Sequence, residues 1–262
     1  MLHRNAVELH LFLICLTCFL ASFFQYTRLM ACLPFREGLI LAIVALLAGI
    51  AVIAYPFVSQ WIYSMQVQQL VQSFTQDVQD TPENGTLLDE LYTDLQQKNE
   101  ELYANGQSTL KDPFSYEEPG VDLTQYGLED NIIGYVSIPK INETLPIYLG
   151  ANTQNMSKGA VHLTQTSYPI GGGNTNAVLA AHRNYYKGNL FKNIDYLQPG
   201  DEVLVHNFKE TITYKVTSTL IIQPDEIDKV LIQPGNDMLT LLSCHPRGQN
   251  TQRIVVYCQR VA

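Results

Sequence analysis

A cysteine, a histidine and an arginine each stand at the edge of an apolar, strand-forming run. Cys244 follows Thr240-Leu241-Leu242-Ser243 and precedes Pro246 and Gly248. A thiol placed so is held by a rigid strand and presented by the turn after it. The bland reading is a buried structural cysteine, which is as common. His182 ends the run Ala177-Val178-Leu179-Ala180-Ala181. The pair of residue types supplies a thiolate nucleophile and a general acid for a leaving amine. Arg253 opens the run that continues to Tyr257. If 238–243 and 253–258 form a hairpin, Arg253 lies beside Cys244, since paired strands run about 4.8 Å apart. A guanidinium there can hold a substrate carbonyl or the oxyanion of a tetrahedral intermediate. Its alternative is a surface arginine on an edge strand.

Three other histidines compete with His182, namely His162, His206 and His245. His206 stands beside Asn207 in a predicted turn and reads as surface. His245 adjoins Cys244, but in an extended chain its side chain points to the opposite face. Arg247 is nearer to Cys244 in sequence than Arg253, in a loop beside Gly248 that leaves its direction open.

These residues need a scaffold, and the second half of the chain provides strands. Ile132–Ile138 ends at Pro139. Glu202–His206, Thr211–Ile222, Met238–Leu242 and Arg253–Tyr257 follow, with Thr211 to Val216 alternating. Short β-rich runs separated by Gly, Pro and Asn turns indicate a mainly β sandwich or barrel. Too few helices intervene for a doubly wound α/β fold. Upstream, Gln60–Val78 is helix-compatible, and Thr81-Pro82-Glu83-Asn84-Gly85 breaks it. Leu87–Tyr103 reads as an amphipathic helix on Leu88, Leu91, Leu95 and Leu102. Ser108 to Asp130 is irregular.

The N-terminal part is apolar. Leu39–Val58 is uncharged, and about 20 such residues span a bilayer core as a helix. Tyr55, Trp61 and Tyr63 follow as interfacial aromatics would. Leu11–Phe24 is a second, shorter apolar stretch, a span or re-entrant piece unless translation starts at Met30. Arg28 and Arg36 place the linking loop in the cytoplasm and everything after Val58 outside. Arg4 counts weakly against a second span. No small-residue cleavage site follows the run, so an anchor is expected rather than a signal peptide.

The chain of 262 residues has a formal net charge of −9 and no basic cluster interleaved with aromatics, which excludes a nucleic-acid surface. Cys15 and Cys18 have a metal-type spacing but lie inside apolar sequence with no second ligand pair, so no metal site is expected. Cys32 lies beside that sequence, and the long middle lacks cysteine, unlike a disulfide-stapled fold.

With these residues in place, the chain resembles the sortases. Thr240-Leu241-Leu242-Ser243-Cys244 followed by Arg253 is similar to the family signature Thr-Leu-x-Thr-Cys with an arginine on the next strand. Ser243 replaces the usual threonine and keeps a hydroxyl. Ala180-Ala181-His182-Arg183 matches the segment carrying the family's histidine. Gly159-Ala160-Val161-His162-Leu163 and Tyr168-Pro169-Ile170-Gly171-Gly172-Gly173-Asn174-Thr175 resemble the approach to that histidine in class C, the pilin-polymerising sortases of Gram-positive bacteria. Asp112-Pro113-Phe114 fits the class C lid. The likeness runs from about Tyr55 to Arg260.

The resemblance implies a closed sortase β-barrel with short helices over 131–262. Before it come an extracellular helical stalk and lid over 59–130 and a membrane region over 1–58, of which 39–58 is the surer span. Many class C members carry a second membrane helix after the barrel; here the sequence ends at Ala262, and the extra apolar stretch is N-terminal. The implied activity is a cofactor-free cysteine transpeptidase at the outer face of the cell membrane. Cys244 would be the nucleophile, His182 the acid and base, and Arg253 the oxyanion stabiliser. Asp112 would pair with Arg253, and Phe114 would cover the thiol. The implied partners are proteins with a Leu-Pro-x-Thr-Gly-like sorting signal and an acceptor amine, a pilin lysine or a cell-wall peptide. A housekeeping sortase, a non-catalytic pilus assembly factor and a hydrolytic peptidase are the competing readings.

Overall fold

The computed structural model describes residues 35–79, 84–107, 110–114, 117–128, 131–183 and 190–261. The expectations for Arg4, Leu11–Phe24, Cys15, Cys18, Arg28 and Cys32 lie outside the described residues. The chain divides into two compact units, Met1–Pro56 and Phe57–Ala262.

The first unit holds the start of helix α1 (Phe35–Gln79). Leu39, Ile43, Leu46, Leu47, Ile50 and Ile53 are all exposed there. Among the described residues, α1 is the one helix long and apolar enough to cross a membrane. A soluble helix would bury one face of such a run; this one buries none of its most apolar window.

In the second unit, the later turns of α1 turn Tyr63, Val67 and Phe74 into the core. The Tyr63 hydroxyl donates to the Lys158 carbonyl at 2.9 Å. Tyr63 is therefore a packing residue, which corrects its reading as an interfacial aromatic; Tyr55 and Trp61 stay exposed. Helix α2 (Asn84–Ala104) buries Leu88, Leu91 and Leu95, three of the four positions its periodicity singled out; Leu102 is half-buried.

Eight strands close into a barrel. They are β1 (Ile132–Ile138), β2 (Glu143–Leu149), β3 (Ala160–His162), β4 (Thr175–Ala180), β5 (Glu202–Asn207), β6 (Thr211–Ile222), β7 (Asp237–His245) and β8 (Gln252–Arg260). The order around the barrel is β1-β2-β3-β4-β7-β8-β6-β5, with β5 pairing back to β1. Pairs β2–β3 and β4–β7 are parallel and the rest antiparallel. Closure removes every free edge. Branched side chains on both faces of the barrel's strands, such as Val136, Leu145, Ile147, Val178, Leu239, Leu241 and Val255, are fully buried. Cys258 belongs to this core, and burial pushes its thiol far up.

The barrel is the mainly β architecture expected, but β2 and β3 carried no recognisable strand signal. Pro146 interrupts β2, and it is tolerated because pairing with β3 begins one residue later, at Ile147. His206 also differs from expectation. It lies within β5 rather than in a turn, stacked on Tyr135 at 4.3 Å, with Nδ1 and the Thr211 hydroxyl 2.9 Å apart.

Candidate active site

One mouth of the barrel gathers the chemistry. In the β7–β8 ladder Cys244 is the direct cross-strand partner of Arg253. In the parallel β4–β7 ladder Ala180 pairs with Leu242. His182 and Cys244 each follow two residues later, so the register carries both to the same end. The segment between is fastened on both sides. The Ala181 N–H donates to the Leu242 carbonyl at 3.2 Å, and its own carbonyl accepts from the Ser243 hydroxyl. The hydroxyl kept at position 243 thus ties the histidine's segment to the cysteine's strand. The Thr240 hydroxyl does the same one turn of the pleat earlier, reaching Asn176 Oδ1 at 2.8 Å.

Cys244 is not presented by the turn, as its place near a strand end suggested; it is 5 % exposed. Burial pushes its thiol up, Arg253 and Arg183 pull it down, and the Asp112 carboxylate adds to the upward push. Burial also lowers His182 below the ordinary imidazole value. Both shifts favour the neutral forms, thiol and uncharged imidazole, over the charged ones.

Burial outweighs the pull of Arg253 on the thiol, and Arg253 itself is bound elsewhere. Its Nε and Nη2 donate to the two oxygens of Asp112, each at 2.8 Å, across 141 residues of sequence. Nη1 donates to the Asn250 and Gln252 carbonyls at 3.0 and 2.9 Å. Such a fork on a carboxylate is the strongest geometry arginine offers. Burial opposes the charge on Arg253, but the bonds to Asp112 outweigh it and leave the guanidinium's pKa raised. Phe114 lies under the same guanidinium, 5.0 Å from its ring centre, and 5.9 Å from the His182 ring. Asp112-Pro113-Phe114 therefore contacts both Arg253 and His182.

The segment bearing these residues is fixed at both ends. Before it, Gln107 Nε2 donates to the Gln165 carbonyl at 3.0 Å, Gln107 Oε1 accepts from Ile232 N at 2.7 Å, and Lys111 N donates to Gln165 Oε1 at 3.0 Å. After it, the buried Glu118 carboxylate accepts from the Ala151 and Thr164 amides at 3.3 and 3.0 Å. Gly150 lets that chain pass close, since its φ is +92° and a Cβ there would come within 2.2 Å of the Pro119 carbonyl.

A second arginine at the mouth carried no assigned role in the sequence. Arg183 is buried. Its Nη2 pairs with Asp195 at 2.8 Å, and its Nη1 lies 3.4 Å from the Cys244 carbonyl and 3.2 Å from His245 Nδ1. Arg247 shares Asp195 at 2.7 Å and reaches Asn193 at 3.4 Å. Burial opposes ionisation of Asp195, but bonds to Arg247 and Arg183 hold its carboxyl low. Arg247 is thus directed to Asp195, and His245 to Arg183. The one available hint was the adjacency of Arg183 to His182. His162 is excluded as a base by its setting. It is fully buried, Nε2 lies 3.0 Å from the Ser167 carbonyl, and burial lowers its pKa to about 4. Among the described residues no group of three or more His, Cys, Asp or Glu gathers as a metal site would need.

Cys244, Arg253 and His182 thus lie at the same end of the closed barrel. Residues 136–261 match the family model of the sortase domain. The pilus-related sortase C of Group B Streptococcus is 34% identical, covers 73% of this chain and 97% of its own, and superposes with a TM-score of 0.66. Sortase C-1 from Streptococcus pneumoniae is likewise 34% identical, over 74% of this chain and 98% of its own, at 0.67. Sortase D of Bacillus subtilis is 30% identical over 131 residues, 49% of this chain and 63% of that protein. The chain spans less than two thirds of the length of the first such curated relatives. The chain belongs to the sortase family, in its class C branch, and α1 locates it at the membrane.

Proposed function

We propose that this protein is a cysteine transpeptidase that cleaves a Leu-Pro-x-Thr-Gly-like sorting signal between Thr and Gly and joins the acyl group to an amine, a pilin lysine during pilus assembly. The observation that carries this reading is the direct pairing of Cys244 with Arg253, with Arg253 held by Asp112 from far upstream. The likeness to sortase C structures supports the pilin substrate class. Residues 131–262 serve as the catalytic barrel, 59–130 as the extracellular helical region with the lid at 112–114, and 1–58 as the membrane region.

The chemistry starts from the neutral thiol and imidazole. When Asp112 and Phe114 withdraw, Arg253 is freed to bind the scissile carbonyl. Cys244 passes its proton to His182 as the sulfur attacks the Thr carbonyl carbon. The oxyanion forms against the Arg253 guanidinium. His182 then protonates the departing glycine amine, leaving a thioester. An amine attacks that thioester, gives its proton to His182, and the Cys244 thiol is restored. No step needs a cofactor.

Cys244→Ala is expected to abolish the high-molecular-weight pilin ladder in cells while the protein remains in the membrane. An undiminished ladder in a strain lacking other sortases contradicts the reading. A covalent acyl adduct on Cys244 after exposure to a sorting-signal peptide separates an enzyme from a non-catalytic assembly factor.

A further inference from the structure

A cavity of about 320 Å³ opens beside His182. It is walled by Pro113, Phe114 and Glu117 on one side and Asn152, Thr153 and Met156 on the other. Phe114 and Met156 offer apolar surface, and Glu117 contributes the only carboxylate among its lining residues. That carboxylate is oriented by the barrel. The Thr153 amide donates to Glu117 Oε1 at 3.4 Å, and the Thr153 hydroxyl donates to the same oxygen. Among the described residues nothing donates to Oε2. The neighbouring Glu118 is buried and bonded to the Ala151 and Thr164 amides. Glu117 therefore sits on the fixed end of the lid segment and keeps its place when Asp112 and Phe114 move.

We propose that this cavity is the acceptor-amine site, in which Glu117 receives the ammonium of a primary alkylamine such as a lysine side chain. The inference rests on the transpeptidase reading above. Its chemistry is set by protonation. A lysine amine arrives as an ammonium, since its ordinary pKa is about 10.4, and an ammonium cannot attack a thioester. Glu117 holds the cation at the cavity wall, and the methylene stem lies along Met156, which stays when Phe114 withdraws. One proton is lost to solvent as the amine turns toward His182. The free amine attacks the acyl carbon, the Nζ–C bond forms and the C–S bond breaks. The second amine proton passes through His182 to the departing Cys244 sulfur. Nothing is oxidised or reduced.

The test is a competition on the full chain with a fluorescent sorting-signal peptide as donor. The acceptors are Nα-acetyl-lysine amide, which arrives charged, and hydroxylamine, which is neutral near pH 7. In Glu117→Gln the ratio of lysine to hydroxylamine transfer is expected to fall about five- to tenfold, the value of a charge-assisted contact near the surface. Glu117→Asp keeps the charge and is expected to restore most of the preference, which a merely misfolded loop would not do. An unchanged ratio, or an equal loss with both acceptors, overturns the proposal. If the wild type forms no thioester with the donor peptide, the transpeptidase reading fails first, and the amine site with it.

Discussion

Two buried arginines flank Cys244, and each is paired with a carboxylate at 2.8 Å. What differs is where the carboxylate comes from. Asp195 belongs to the barrel, in the short 3-10 turn over Ile194–Tyr196 between β4 and β5. Asp112 comes from a segment ahead of the first strand, 141 residues from its partner. The Arg183–Asp195 pair joins parts of one folded body and reaches the Cys244 backbone, so it acts as structure. The Arg253–Asp112 pair occupies the donors that, in the proposed mechanism, a developing oxyanion would need. On the proposed reading the carboxylate on the separate segment withdraws, whereas Asp195 stays with the barrel. On that reading the same interaction is a brace in one place and a stopper in the other.

The sharpest way to break this comparison is at Arg253. Arg253→Ala is expected to lower the rate of thioester formation by about 10²–10³, the cost of losing one oxyanion donor. Arg253→Lys recovers only part of it, because an ammonium lacks the fork that fits Asp112 and an oxyanion. Single-turnover rates with a sorting-signal peptide measure both.

The next effect separates the two carboxylates. Asp195→Ala leaves Arg183 buried without its partner, and Arg183 Nε already has none among the described residues. Its melting temperature is expected to fall on the order of 5 °C. Asp112→Ala opens the mouth to water, and its melting temperature is expected to change less. Equal losses in a thermal melt erase the distinction between brace and stopper.

A further effect lies away from the mouth, at His162. Its pKa in the fold is about 4, against 6.5 ordinarily. The fold favours the neutral ring, so this stabilisation is complete above pH ~6.5 and is lost as the pH falls toward ~4, to a limit of about 3 kcal/mol. His162→Gln is expected to flatten that part of the stability-versus-pH curve while leaving the activity's pH optimum in place.

How much of this was legible in the sequence follows the range of the interactions. The β7–β8 hairpin joins near neighbours, so the pairing of Cys244 with Arg253 could be reasoned from strand spacing. Alternation revealed β6 because one face of it is exposed. Strands β2 and β3 were hidden, since nearly all of β2 and the whole of β3 are buried and show no alternation, and β3 has three residues. Asp112 and Phe114 were legible only through family likeness; nothing local links a turn-forming Asp-Pro to an arginine so distant. Arg183, Asp195 and the Glu118 anchor escaped notice for the same reason. Their partners are backbone groups and side chains that only barrel closure brings near.

The central claim is that Asp112 and Phe114 keep the thiol idle. The direct measurement is the rate of Cys244 alkylation by a bulky maleimide as a function of pH, followed on the Cys244 peptide by mass, in the wild type and in the Asp112→Ala, Phe114→Ala double variant. Burial and the Asp112 charge both raise the wild-type thiol's pKa. Removing the lid pair is expected to speed labelling and move its pH midpoint downward. Superimposable rate–pH curves would contradict the account.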